Sequence, residues 1–232
     1  MSFWQVTMKR SVKLSRTYFI LGIVLAVYGI IISNIITLIP SGSATPAPVD
    51  LAKNFPLLSV AMLSLSSVLF SLPVVMLFVY DKNNGVLEYL LSTGLDQLDI
   101  FKGYVKASLT LAVYLLVFSI ILNTSVGVVL GTSLYLLASI AALTFAIGIS
   151  EVFLVSVCMV AFSSLQKTPM GANQPLGVIV GVIPMFPALI LPLVFPVYGV
   201  VFDLSIAAIT LIVSLALLLS IGRLILREKL LP

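Results

Sequence analysis

The sequence has no histidine and a single cysteine, Cys158. The first absence excludes imidazole metal sites, histidine-ligated haem and histidine acid–base chemistry. The second excludes an internal disulfide and any paired-cysteine metal or redox motif. Charge is almost as scarce: 9% of the residues are Asp, Glu, Lys or Arg, where soluble domains run near a quarter. No G-x-x-x-x-G-K-S/T segment occurs, so this sequence carries no phosphate loop. What is present is apolar: 61% of the residues are hydrophobic and the mean hydropathy is +1.26. A chain of this composition has too little polar surface to cover itself in water and must place most of its exterior in lipid. The net charge of +4 does not point to nucleic acid, because the basic residues do not cluster on a soluble domain.

The apolar residues fall into runs long enough to cross ~30 Å of hydrocarbon. Spans are expected at residues 18–39, 56–80, 105–130, 134–162, 175–195 and 202–226. Residues 2–16 read as an amphipathic helix in the headgroup layer, with Trp4, Met8 and Val12 repeating every four residues and Lys9, Lys13 and Arg16 on another face. The first run is too long for a signal peptide and no A-x-A site follows it, so it is expected to be retained. Residues 40–55, rich in Ser, Pro and Ala, are expected to form an irregular external loop. Six crossings from a cytoplasmic N-terminus place eleven of the twelve Lys and Arg residues inside and only Lys53 outside, which obeys the positive-inside rule. The expected fold is therefore all-α: one polytopic transmembrane domain over residues 1–232 in a cell membrane, with both termini cytoplasmic.

Residues 81–104 separate the second and third spans, and this segment holds four of the eight acidic residues. A short amphipathic helix lies within it. Asn83 and Asn84 have the short amide side chains that cap a first turn, and Leu87, Leu90 and Leu91 share one face. Gly94 stands where a helix stops, and Asp96 precedes the next helix with Asp99 in its first turn, where a negative charge suits the dipole.

Asn84, Gly85, Leu87, Glu88, Leu90, Leu91, Ser92 and Thr93, followed by Ile100 and Gly103, resemble the cytoplasmic loop of type-2 ATP-binding-cassette (ABC) exporter permeases. Val86, Gly94 and Tyr104 depart from that pattern, and the motif covers about a tenth of the chain. The resemblance implies that residues 84–93, including Val86, form a coupling helix docking on a separate ATPase subunit, with two ATPase copies below two permease copies, identical or not. It implies ATP and magnesium bound by that partner, no cofactor or catalytic residue in this chain, and a six-span fold with a cytoplasmic coupling helix. The other reading is an ordinary solvated loop helix.

Glu151 is the acidic residue set well inside a span, which makes it a candidate for a translocation path or a proton site. No basic residue in a span can pair with it, so it is expected to be protonated or bonded to Ser150, Thr144, Asn34 or Asn123. Asn34 and Asn123 are the other intramembrane polar candidates. Pro184, Pro187, Pro192 and Pro196 interrupt the fifth span, each interior proline costing on the order of 3 kcal/mol in a plain helix. A kinked or re-entrant segment is expected there. Short external loops favour export. Two other functions fit the sequence: a proton-coupled secondary transporter using Glu151, and a non-transporting membrane scaffold.

Overall fold

The structure, a computed structural model, describes residues 3–14, 16–38, 49–161, 183, 185–194 and 198–224. Among these residues it is all-helical: α1 (Phe3–Leu14), α2 (Arg16–Leu38), α3 (Val49–Asn83), α4 (Val86–Ser92), α5 (Gln97–Val129), α6 (Leu134–Ala161), α7 (Met185–Val194) and α8 (Gly199–Leu224). Five of these, α2, α3, α5, α6 and α8, are long and apolar enough to cross a membrane. The chain is thus a multi-pass helical membrane protein by length and composition.

α3 is the central post, packed on by α1, α2, α5, α6 and α7. Its inward positions alternate large apolar groups with small hydroxyls. Val68, Leu72, Val75, Leu77 and Phe78 are buried, and so are Ser64, Ser66, Ser67 and Ser71. Each of these serines donates a hydrogen bond to the carbonyl three or four residues back in its own helix. A hydroxyl satisfied within its own backbone can sit in an apolar core without stranding a donor. The main core joins this part of α3 to Leu87 of α4, Ile100–Ala112 of α5 and Val152–Val157 of α6. A second cluster joins Val60, Ile140, Leu143, Ile147 and Ala207, tying α8 to α3 and α6.

The outer surface is apolar. Ile20, Val24, Val27 and Ile31 on α2, Tyr114, Phe118 and Ile121 on α5, and Leu204, Ile212 and Leu219 on α8 are all exposed. Contiguous apolar surface on this scale is foreign to soluble monomers and marks contact with lipid or partner chains.

Three boundaries differ from the sequence expectation. The second span does not begin at Pro56: α3 starts at Val49, so residues 49–55 of the expected irregular loop are helical. Pro56 lacks only one N–H, and a long helix packed by neighbours tolerates that loss. The third helix starts at Gln97 instead of residue 105, and its 33 residues measure about 50 Å, more than one bilayer core. The expected fifth span is represented by α7, whose ten residues cover about 15 Å, half a crossing. Pro187 and Pro192 lie within α7; Pro184 and Pro196, the expected loop at 163–174 and most of residues 175–184 lie outside the described residues.

Candidate functional site

The end of the bundle that carries α4 is built around two glycines with positive φ. α3 runs through Asp81 to Asn83 and stops. Gly85 takes φ 71°, and its N–H donates to the Lys82 carbonyl at 3.3 Å, a left-handed position that suits a residue without Cβ. Asn84 does not cap α4 as expected. Its side-chain amide donates to the Tyr80 carbonyl at 2.8 Å and closes α3, while Gly85 itself occupies the N-cap of α4 with no side-chain cap. Asn83 is the last residue of α3. Gly94 ends the short helix at φ 88° as expected, and Asp99 lies in the first turn of α5. Asp96 sits at the N-cap of α5 in extended conformation, but its side chain makes no capping bond.

The leucine face of α4 points inward. Leu87 is 2% exposed and belongs to the main core. Leu90 and Leu91 are half-buried and pack on that same core. Leu87 is therefore spent on the chain's own core and, contrary to expectation, is not presented to another subunit. Seven residues are too few to hold a helix alone, so the leucine stripe is what anchors α4 to α3 and to the core that α3 shares with α5 and α6. What α4 offers outward is Tyr89, 68% exposed, with Ser92 and Thr93 beside it and Leu95 and Leu98 following. The Ser92 and Thr93 hydroxyls turn back to the Tyr89 and Leu90 carbonyls. Val86 and Glu88 are half-buried.

α1 is latched to this end of the bundle. Arg10 donates to both carboxylate oxygens of Asp81, at 2.6 and 3.0 Å, and the Tyr104 hydroxyl donates to the same carboxylate at 2.5 Å. Asp81 is fully buried. Three helices thus meet on one carboxylate. Phe3 and Phe78 both set their rings edge-on to Tyr104, with centroids 5.6 and 5.1 Å away, and the Trp4 ring lies under the Lys106 ammonium at 5.2 Å. The close approach of α1 to α5 needs Gly103: a Cβ there would lie 2.3 Å from Phe3 Cδ1. The sequence pattern placed the Trp4–Met8–Val12 face in headgroups. The structure turns Trp4 and Met8 onto the protein core and buries Thr7 and Ser11, leaving Val12 exposed. Nothing local to the sequence announces the triad, since Arg10 and Asp81 are 71 residues apart.

The intramembrane polar candidates divide into two groups. Asn34 donates to the Asn123 side-chain oxygen at 3.1 Å and to the Ile30 carbonyl at 2.8 Å, clamping α2 to α5. Glu151 is not part of this pair. It is 0% exposed, and neither carboxylate oxygen has a hydrogen-bond partner among the described residues. The expected bonds to Ser150, Thr144, Asn34 and Asn123 are absent: Ser150 donates to the Ile147 carbonyl of its own helix, the Thr144 hydroxyl has no partner, and the amide of Asn34 is engaged with Asn123.

Asp203 is 1% exposed, equally unpartnered, and within electrostatic range of Glu151. Sequence reading passed over Asp203 because it stands near the start of the last span. A signal was present: Asp203, Ala207, Thr210 and Ser214 repeat at helical spacing and form the buried stripe of an otherwise exposed helix.

No cluster of three or more Cys, Asp or Glu residues suited to a metal ion occurs among the described residues. No family model, curated protein or solved structure matches the chain.

Proposed function

We propose that the chain is the membrane-spanning permease subunit of an ATP-driven exporter in the cell membrane, its energy supplied by separate ATPase subunits that bind ATP and magnesium. One observation carries this reading: α4 is a short helix rooted in the core through Leu87, with a firm outward face at Tyr89. A helix that receives a push must be rigidly joined to the spans it moves, and the burial of Leu87 in the main core supplies such a joint. Here α4 packs on α3 and is joined to α5 by residues 93–96, so displacement at Tyr89 would reach both as levers. The resemblance of residues 84–93 to the coupling helix of type-2 permeases supports this reading, as does the positive-inside distribution, which favours a cytoplasmic α4. A second copy of the chain, or a related permease, would complete the path for an apolar or amphipathic substrate.

The test is purification of the full chain from its native membrane in mild detergent, with ATP hydrolysis and azido-ATP labelling measured in the eluate. An ATP-labelled polypeptide in stoichiometric amount is expected, and Tyr89→Ser should remove it while leaving the permease folded. Absence of ATP hydrolysis, or retention unaffected by Tyr89→Ser, overturns the reading.

A second reading is favoured by the two buried, unpartnered carboxylates. A carrier coupled to protons through Glu151 and Asp203 would take up substrate into proteoliposomes under a pH gradient with no ATP present; the exporter would not.

A further inference from the structure

An open groove of about 560 Å³ runs along α5, walled on its other side by Phe153 of α6 and Leu218 of α8. Its two ends differ chemically. Lys102 and Lys106 stand one helical turn apart at the end nearer α4, both exposed. From there the lining is Val105, Leu109, Val113 and Tyr114. Thr110 also lines the groove, with its hydroxyl donating to the Lys106 carbonyl at 2.7 Å, and the Tyr114 phenol is the polar group at the far end. Lys106 also sets its ammonium over the Trp4 ring at 5.2 Å, yet remains exposed.

We propose that this groove binds one anionic phospholipid from the leaflet on the α4 side, its phosphate on Lys102 and Lys106 and one acyl chain along the trough. The shape and the charge both select that occupant. A soluble anion has no use for an apolar trough more than two helical turns long, and a helix from a second copy would bury two lysines with no carboxylate among the described lining residues to offset them. A zwitterionic lipid fits the trough equally but gains less at the lysines, since its own ammonium offsets the phosphate. Basic pockets between transmembrane helices recognise headgroups in this way. The site stands apart from the docking reading of α4 and does not depend on it.

The experiment is native mass spectrometry of the full chain from micelles doped with dioleoylphosphatidylglycerol or dioleoylphosphatidylethanolamine. One bound phosphatidylglycerol is expected, retained roughly tenfold or more over phosphatidylethanolamine. Lys102→Gln should lower that retention about fivefold, and Lys102→Gln with Lys106→Gln about 30-fold, in line with two near-surface lysines. The paired Lys→Arg variants should retain the lipid, which shows that charge is what counts. Val113→Trp, which fills the trough and leaves the lysines in place, should also expel it. Equal retention of the two lipids, or retention unchanged in the double Gln variant, overturns the proposal. So does efficient cross-linking of a Thr110→Cys variant into a dimer, which would show the groove covered by a second copy.

Discussion

Arg10 grips the buried carboxylate of Asp81 through both guanidinium nitrogens, at 2.6 and 3.0 Å. Arg10→Ala would leave that carboxylate buried with Tyr104 alone. Breaking a buried pair costs about 3–5 kcal/mol, but the Arg10 side chain is 41% exposed, and water screens part of the attraction. The expected loss is therefore about 2 kcal/mol, read as a lower thermal midpoint in detergent. Asp81→Asn, which can still accept from Tyr104, should lose less. If Arg10→Ala unfolds at the wild-type temperature, the latch contributes nothing.

The two faces of α4 should separate cleanly under mutation. Leu87→Ala removes a fully buried side chain and should cost about 2–5 kcal/mol of fold stability. Tyr89→Ser alters an exposed group and should leave stability within ~0.5 kcal/mol of wild type, while under the proposed exporter function any co-purifying ATP hydrolysis should fall. Equal thermal midpoints for the two variants would show that Leu87 is not the anchor.

Gly103→Ala tests the contact between α1 and α5. Its Cβ would lie 2.3 Å from the Phe3 ring, so the ring must move at a cost of about 1–3 kcal/mol. Trp4 is the only tryptophan and sits one residue from Phe3, so its fluorescence reports the shift directly. A red-shifted emission and faster proteolysis of the N-terminal helix are expected. An unchanged spectrum would mean that Phe3 does not pack against Gly103 in the membrane.

Glu151→Gln and Asp203→Asn are expected to be stable. Neither carboxylate has a hydrogen-bond partner to lose, and an amide of the same shape removes the cost of burying an ionisable group. Detergent-solubilised variants should unfold at or above the wild-type midpoint. A fall of several degrees in either variant would mean that the carboxylate is bonded in the membrane-embedded protein.

The all-helical class and five of the six expected spans followed from local rules. Long apolar runs must be helical in lipid, because every backbone N–H and C=O has to be satisfied within the segment. The leucine spacing within residues 87–91 and Gly94 with its positive φ marked out α4 between two spans for the same kind of reason: each signal is complete within a few residues. Local rules did not say which way α4 faces. The stripe of Leu87, Leu90 and Leu91 is equally apolar whether it meets another subunit or its own core, and only the packing of α3 against α5 turned it inward and left Tyr89 outside.

The same limit hid the Arg10–Asp81–Tyr104 junction. Those residues are separated by 71 and 23 positions, and periodicity carries no information about contacts between elements. Asp203 was partly legible, since its stripe with Ala207, Thr210 and Ser214 has helical spacing. Its burial depended on α8 pressing that stripe against α6. Sequence alone determined that the chain is a bundle of apolar helices with a short polar-tipped helix between two of them. Tertiary structure decided which faces of those helices are spent on the core and which remain for lipid or a partner, because that choice is made by neighbours far away in the chain.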